Sequence, residues 1–299
     1  MKVEYTKTST LPQNLVPLLK YRGLTIIDEQ KAINYITNIG YFRLSAYFYP
    51  LLKEPKTNHS FKEGATFEMA LDMYRFDRKL RILLFNEIEK VEVAVRSAMN
   101  DIISSELSNV FWMTDPVNFR NPEIFSKTLK LIKSEIAKTK EDFIVHFLSK
   151  YSNPYPPAWM IAEIIPLGIL CNSFNNLTNK TLLKKVARHF GLPLPVFSSW
   201  LLLLSNLRNL CGHHARLWNK EIAIISHNLN NPTYPWINPA ITDMKRVYFR
   251  ICMIKYLLFT VSPNNNFTEK LKDILKQYPT VDTLAMGFPE NWEREPLWK

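Results

Sequence analysis

The feature that most constrains the fold is a helical apolar repeat that begins after Thr66 and continues to about Leu107. Its apolar residues recur every three or four positions, as they do on one face of an α-helix. They are Phe67, Ala70, Leu71, Tyr74, Leu80, Leu83, Leu84, Ile88, Val91 and Val95. We predict one long helix here, with Thr66 as its cap and room for one bend.

Shorter repeats predict helices along the rest of the chain, and no convincing pair of strands is present. The first of these helices is capped by Asp28 and stops at Gly40. The others cover residues 123–150, 158–176 with a bend at Pro166, 181–190, 241–261 and 267–277. The predicted fold class is therefore all-α, a helical bundle with a small N-terminal helical lobe. The predicted divisions are a lobe at 1–64, a helical core with inserted helices at 65–262, and a C-terminal helix and tail at 263–299 that pack on the core.

The balance of charge indicates an anionic partner. The formal net charge is +11 and the isoelectric point is about 9.4. Nucleic acid fits such a balance first and an acidic membrane surface second. The alternative is a basic soluble protein with no polyanion partner.

Several classes of protein are disfavoured by what the sequence lacks. The three cysteines Cys171, Cys211 and Cys252 are far apart and odd in number, so we expect no disulfide framework and no zinc motif, as in a reducing cytoplasm. The first residues lack the apolar core of a signal peptide, and the apolar runs are too short or interrupted to span a bilayer. With no Gly-rich phosphate loop either, we expect a cytoplasmic protein with no membrane partner, metal or cofactor.

The stretch Trp200–Lys220 starts as an apolar helix and becomes a dense polar cluster. Placed on one continuous helix, capped by Ser198 or Ser199, its residues separate into two faces. The apolar face carries Trp200, Leu203, Leu204, Leu207, Leu210, Cys211, His214 and Leu217. The polar face carries Ser205, Asn209, His213 and Arg216, with Arg208 beside it. A solvated face would more often carry Lys and Glu, so this cluster predicts a functional site.

The residue types in the cluster suit RNA cleavage. RNA supplies its own nucleophile, the 2′-hydroxyl, and a histidine near neutral pH can act as base or acid. An arginine can hold the phosphate while negative charge develops. We assign the proton transfer to His213, because His214 falls on the apolar face, and expect Asn209 to orient the histidine or bind a phosphate oxygen. Arg208 and His213 are five residues apart, so Arg208 must reach around the helix or a symmetric dimer must complete the site.

Other charged and aromatic residues are candidates for supporting roles, and His214 and Arg216 of the cluster are among them. Glu89, Glu92 and Arg96 share a face of the long helix, either as an ordinary salt-bridge face or as a second wall of the Arg/His cluster. Glu163 lies in an apolar context, where we expect it to pair with an arginine. The aromatics of residues 41–50 could stack on bases, although we favour packing in the N-terminal lobe. The candidate RNA contacts are Arg43, Tyr47, Arg78, Lys79 and Arg81.

At these residues the chain resembles the bacterial abortive-infection proteins of the AbiD/AbiF type, within the wider HEPN superfamily. The resemblance covers most of the chain. It rests on the blocks Tyr41-Phe-Arg-Leu-Ser-Ala-Tyr-Phe-Tyr-Pro50, Phe76-Asp-Arg-Lys-Leu-Arg81, Ile88-Glu-Lys-Val-Glu-Val-Ala-Val-Arg96, Pro156-Pro-Ala-Trp-Met-Ile-Ala-Glu163 and, above all, Ser199-Trp-Leu through Arg208-Asn-Leu-Cys-Gly-His-His-Ala-Arg-Leu-Trp-Asn219.

The resemblance implies a HEPN-like helical core and a metal-independent ribonuclease built on an Arg-x4–6-His motif, here Arg208, Asn209 and His213. It also implies a homodimer that brings two motifs together, a toxin role in phage defence, and restraint by a partner that in some systems is an RNA. The chain departs from the family pattern with Gly212 in place of Ala and Lys220 in place of Arg. Two alternatives remain open at this point: a non-catalytic RNA-binding module that senses or holds RNA, and a structural protein in which Arg208 and His213 are core hydrogen-bond partners.

Overall fold

The computed structural model describes residues 3–6 and 8–299, and these residues contain twelve α-helices and no strand. The all-α prediction is confirmed. The helices are α1 (Pro12–Tyr21), α2 (Glu29–Ile39), α3 (Tyr41–Phe48), α4 (Phe67–Leu107), α5 (Pro122–Lys138), α6 (Asp142–Lys150), α7 (Ala158–Ile164), α8 (Leu167–Asn175), α9 (Lys180–His189), α10 (Leu194–Gly212), α11 (Val247–Val261) and α12 (Phe267–Gln277). The predicted N-terminal lobe at 1–64 includes residues 1, 2 and 7, which lie outside the described residues.

Local capping explains where several helices begin and end. The Asp28 carboxylate accepts a hydrogen bond from the Lys31 N–H at 2.8 Å, and Gly40 ends α2 with a φ of +90°. The Thr66 hydroxyl accepts from the Met69 N–H at 3.2 Å, so the predicted cap of the long helix is confirmed. Pro166 separates α7 from α8, as expected for a residue without an N–H.

The described residues form two compact units that divide the chain differently from the predicted segments. One unit contains the described residues as far as Leu80 together with Lys272–Val281. The other contains Arg81–Leu271 and Asp282–Lys299. The boundaries therefore fall inside α4, inside α12 and after Val281, whereas the prediction placed its divisions in the connecting segments. A boundary can fall inside a continuous helix because such a helix can contribute residues to two cores.

The first unit is organised by aromatic packing. The Phe48 ring lies 6.0 Å from the Phe61 ring and 5.8 Å from the Phe67 ring. The Tyr47 hydroxyl donates to the buried Asp77 carboxylate at 2.7 Å. Tyr47 and Phe48 are buried, so the packing interpretation of residues 41–50 is confirmed for them, while Phe42 is exposed.

The second unit has α10 and α11 at its centre. Trp200, Leu203, Leu204 and Leu207 of α10 are almost completely buried, and each large apolar side chain removed from water contributes about 1.5–3 kcal/mol. α10 packs against α8, α9 and α11. The C-terminal tail also belongs to this unit, because the Trp298 indole N–H donates to the Tyr248 hydroxyl at 3.0 Å. The prediction that this tail packs back on the body is confirmed.

Two predicted helix starts are wrong. α10 begins at Leu194, after Pro193, and not at Ser198 or Ser199, because a proline such as Pro195 is tolerated in the first turn of a helix. The Ser199 hydroxyl instead donates to the Val196 carbonyl at 2.8 Å. α11 begins at Val247, because Pro239–Ile241 forms a separate 3-10 turn.

Within the described residues, no single helix is long and apolar enough to cross a membrane. One pair, α9 and α10, reaches the required length and composition together, with a bend of 67° between the two helices.

Candidate active site

The polar cluster lies at the C-terminal end of α10, where the helix closes with a two-bond capping turn. The Ala215 N–H donates to the Leu210 carbonyl at 2.8 Å, and the His214 N–H donates to the Cys211 carbonyl at 3.0 Å. This pattern is a Schellman motif, which needs a left-handed residue just beyond the helix. His214 occupies that position with a φ of +55°. The predicted continuous helix through Lys220 is therefore correct as far as Gly212 and wrong beyond it.

The capping turn separates the two adjacent histidines. The His213 N–H still donates to the Asn209 carbonyl at 2.9 Å, so His213 continues the helical register of Asn209 as predicted. His214 leaves that register and is exposed, so its placement on the buried apolar face is wrong. Arg216 follows the turn, is half-buried, and no longer shares a helix face with His213. Asn209 and His213 are both exposed.

Arg208 faces a carboxylate from α4. Its Nε lies 3.6 Å from Oε2 of Glu92. The other oxygen of Glu92 accepts a hydrogen bond from Arg96 Nη2 at 2.5 Å. Glu92 therefore forms an i,i+4 ion pair along α4 and also reaches Arg208 of the cluster.

Burial distinguishes the two arginines that share Glu92. The Arg96 side chain is 11% exposed, and it also donates to the carbonyls of Ala162 and Ile165, which lie at and just after the end of α7. The Arg208 side chain is 43% exposed. Arg96 is thus a fixed anchor for Glu92, whereas Arg208 is held on one side and open to solvent on the other.

An open groove of about 450 Å³ lies between α4, the turn joining α7 to α8, and Arg208. Its charged lining residues are Glu89, Glu92, Arg96, Glu135, Glu163 and Arg208. Four carboxylates thus face two guanidinium groups, so the lining has a formal charge of −2, which was not expected from the basic sequence. Glu163 is exposed in this groove, and the predicted arginine pair is not formed among the described residues.

The sequence of the chain matches a known protein family. A family model described as Abi-like protein matches residues 34–219. The chain belongs to the Abi-like protein family. The match includes every residue of the cluster, both walls of the groove and the capping turn. No curated protein and no solved structure matches the chain. Membership links this Abi-like protein to abortive infection, a form of defence against phage.

The candidate RNA contacts outside the cluster fall into three groups. In the Abi-like protein, Tyr47 and Arg81 are buried, so the prediction that they contact RNA is wrong. The Lys79 ammonium donates to the Gln277 side-chain carbonyl at 2.5 Å and lies over the Tyr278 ring. Arg43 and Arg78 are exposed.

Arg81 has a structural role that the sequence pattern did not reveal. Its guanidinium donates to the Ala215 carbonyl at 3.3 Å, and Ala215 is the residue whose N–H closes the capping turn of α10. A buried arginine from α4 therefore fixes the backbone next to the two histidines. The only signal in the sequence was the position of Arg81 on the apolar long helix.

Proposed function

We propose that this Abi-like protein is a metal-independent endoribonuclease with Arg208, Asn209 and His213 at its active centre. The observation that carries the proposal is the contrast along α10. Its apolar residues from Val196 to Leu207 are mostly buried, whereas Arg208, Asn209 and His213 are all accessible to solvent at its C-terminal end. Exposure of these three polar groups near one end of a helix suits the recognition of a phosphate and a transferable proton. Of the three, Arg208 lines the groove beside Glu92, and Asn209 and His213 are not among its lining residues.

The chemistry follows from the groups. The 2′-oxygen of a ribose attacks the adjacent phosphorus, and the bond from phosphorus to the 5′-oxygen breaks. A neutral imidazole accepts the 2′-hydroxyl proton, and an imidazolium gives a proton to the leaving 5′-oxygen. The products are a 2′,3′-cyclic phosphate and a 5′-hydroxyl. Arg208 would hold the non-bridging phosphate oxygens as their charge increases.

The proposal includes a symmetric homodimer. One His213 supplies one proton-transfer role, and a second copy would supply the other. Support comes from exposed apolar residues that flank the cluster: Ile82, Phe85 and Val93 share one face of α4 with Glu89. Phe85 also approaches Gly212, where an added Cβ would lie 3.9 Å from its ring. Apolar side chains in this position fit a second copy of the chain better than they fit a polyanion.

Glu92 has a positioning role in the proposed site. Its carboxylate holds the Arg208 side chain beside the groove while Arg96 holds Glu92. A phosphate that binds Arg208 would have to share this side chain with the Glu92 carboxylate. Separately, the resemblance to families restrained by RNA suggests a regulatory RNA partner. The proposed biological role is that of a toxin, which halts growth of the infected cell.

The test compares His213→Ala with His146→Ala, which removes an exposed histidine from α6. Each protein is incubated with tRNA and total RNA in the presence of a chelator, and the new ends are mapped. We expect wild type and His146→Ala to leave 2′,3′-cyclic phosphates. We expect His213→Ala to lose about 10²–10⁴-fold in rate and to stop arresting growth.

Cleavage that persists unchanged in His213→Ala would refute the assignment. RNA binding by the wild type without any cut ends would favour the non-catalytic RNA-binding module. The absence of any salt-dependent RNA affinity would favour the structural alternative.

A further inference from the structure

The proposed active centre poses an electrostatic problem for an RNA substrate. The groove beside Arg208 has a formal charge of −2, so it attracts a polyanion weakly or repels it. Of the predicted RNA contacts, Tyr47 and Arg81 are buried and Lys79 is engaged with Gln277. Arg43 and Arg78 remain exposed, but both belong to the first unit. RNA affinity near the proposed site therefore requires cations outside this groove.

Helix α9 has the most one-sided charge of the helices in the second unit. It carries Lys180, Lys184, Lys185 and Arg188 and no acidic residue. Lys180, Lys184 and Arg188 recur every four residues, so they follow one side of the helix with about 6 Å of rise between neighbours. All three are exposed, and the described residues provide none of them with an ion pair or hydrogen bond, whereas Lys185 is paired with Glu106 at 2.6 Å.

A groove of about 420 Å³ adjoins Lys184 and Arg188 on this charged side. Lys184 and Arg188 line it together with residues 191–195, Asn231 and Thr233. No acidic side chain is among its lining residues, in contrast to the groove beside Arg208. Lysine and arginine without a carboxylate partner, together with asparagine and threonine, are residue types that proteins use to contact the phosphates and sugars of nucleic acids.

We propose that the charged side of α9 binds the phosphate backbone of RNA through Lys180, Lys184, Arg188 and the adjoining groove. The inference rests on the proposed function in its choice of RNA as the polyanion. α9 packs against α10 and directly precedes its start in the chain. Arg208 and His213 lie 14 and 19 residues after Leu194, the first residue of α10, which corresponds to a rise of about 21 and 28 Å. The α9 surface therefore retains long RNA and does not take part in the chemistry.

An acidic membrane is the other partner that a basic amphipathic helix can bind. Such binding requires the apolar side of the helix to enter the lipid. The apolar side of α9, with Leu182, Leu183, Val186 and Ala187, is buried in the protein. Only the charged side is available, and this favours a soluble polyanion.

The experiment measures binding of a labelled single-stranded RNA of 20 or more nucleotides by fluorescence anisotropy from 0.05 to 0.5 M KCl. The test variant is Lys184→Gln/Arg188→Gln, and the matched control is Lys127→Gln/Lys130→Gln, which removes two exposed charges from α5. All proteins carry His213→Ala, which prevents cleavage during the measurement. Loss of two phosphate contacts is expected to reduce the slope of log K against log salt by about 1.4. The ratio of the parent's RNA affinity to the variant's RNA affinity should therefore fall about 25-fold between 0.05 and 0.5 M KCl.

Several results would overturn the assignment. One is a slope for the α9 variant that equals that of the parent. Another is an equal reduction by the α5 control, which would mean that net charge alone holds the RNA. A third is binding to phosphatidylserine vesicles that depends on Lys184 and Arg188 while RNA binding does not.

A second arm separates this proposal from the ribonuclease proposal. With His213 intact, the α9 variant is expected to cleave a dinucleotide at the wild-type rate, since one linkage cannot reach both ends of α10. Cleavage of long RNA should show a raised KM with kcat unchanged. If no protein cleaves any RNA, the ribonuclease proposal fails, yet the anisotropy slopes still decide whether α9 binds RNA. If the α9 variant lost as much dinucleotide cleavage as long-RNA cleavage, this would contradict the separate binding role.

Discussion

The two contacts of Glu92 should have different energetic consequences, and this difference can be measured. Glu92 and Arg96 are 13% and 11% exposed, so replacing Glu92 by Gln leaves a nearly buried guanidinium without its counter-charge. Breaking a buried pair costs about 3–5 kcal/mol when no other partner remains. Here Gln keeps an acceptor oxygen and Arg96 keeps two carbonyl partners, so we expect Glu92→Gln to lower the free energy of unfolding by about 2–3 kcal/mol.

Arg208→Gln should have a much smaller effect on stability than Glu92→Gln. Its side chain is 43% exposed and lies 3.6 Å from Glu92, and ion pairs of this kind contribute about 0.2–1 kcal/mol. We therefore expect a loss of stability below about 1 kcal/mol. If Arg208 stabilises the transition state as proposed, the same change should lower the rate of RNA cleavage about 10²–10³-fold.

The assay is urea unfolding followed by far-ultraviolet circular dichroism, combined with RNA cleavage by each folded variant. Glu89→Gln is the matched control, because Glu89 lines the same groove on the same helix but is exposed. It should change stability by less than about 0.5 kcal/mol. The reasoning is refuted if Arg208→Gln destabilises the protein as much as Glu92→Gln does, or if Arg208→Gln cleaves RNA at the wild-type rate.

Two further predictions concern stability alone. His214→Gly should raise the free energy of unfolding by up to about 1 kcal/mol, because glycine adopts the left-handed position of the capping turn at lower cost; a lower urea midpoint would contradict this. Burial lowers the pKa of Lys255, so the unfolded chain binds more protons between that pKa and about 10.4, and stability should rise with pH across this window. Lys255→Met should remove that part of the pH dependence in urea titrations, and an unchanged slope would show that Lys255 does not cause it.

Much of the helical architecture was predictable because apolar periodicity is a local property of the sequence. The bounds of α4 and α12 follow from their repeats, and the break between α7 and α8 follows from Pro166. The two ends of α10 were not predictable in the same way. Its start has Pro193 at the cap position without a capping side chain, and its end places a histidine where glycine is usual, so neither end carries the common capping residue.

The candidate site was predictable in composition but only partly in geometry. The register of Asn209 and His213 follows from their spacing along α10, and the backbone hydrogen bond between them agrees. The contact between Arg208 and Glu92 joins residues that are distant in sequence, and Glu135 and Glu163 enter the groove from two further helices. Such juxtapositions depend on tertiary packing, which neither net charge nor helical periodicity describes.

The distribution of charge bears on how a basic protein of this kind can handle RNA. The chain has a net charge of +11, yet the groove beside Arg208 is lined by more carboxylates than guanidinium groups. Interactions between exposed charges are largely screened beyond about 8–10 Å in physiological salt, so distant lysines do not offset the nearby carboxylates. A phosphate at Arg208 therefore experiences mainly Glu92 and its neighbours, and it stays there only if other contacts hold the RNA. If the protein cleaves RNA as proposed, capture and cleavage would require separate surfaces, one with uncompensated cations and one in which a carboxylate keeps Arg208 in place.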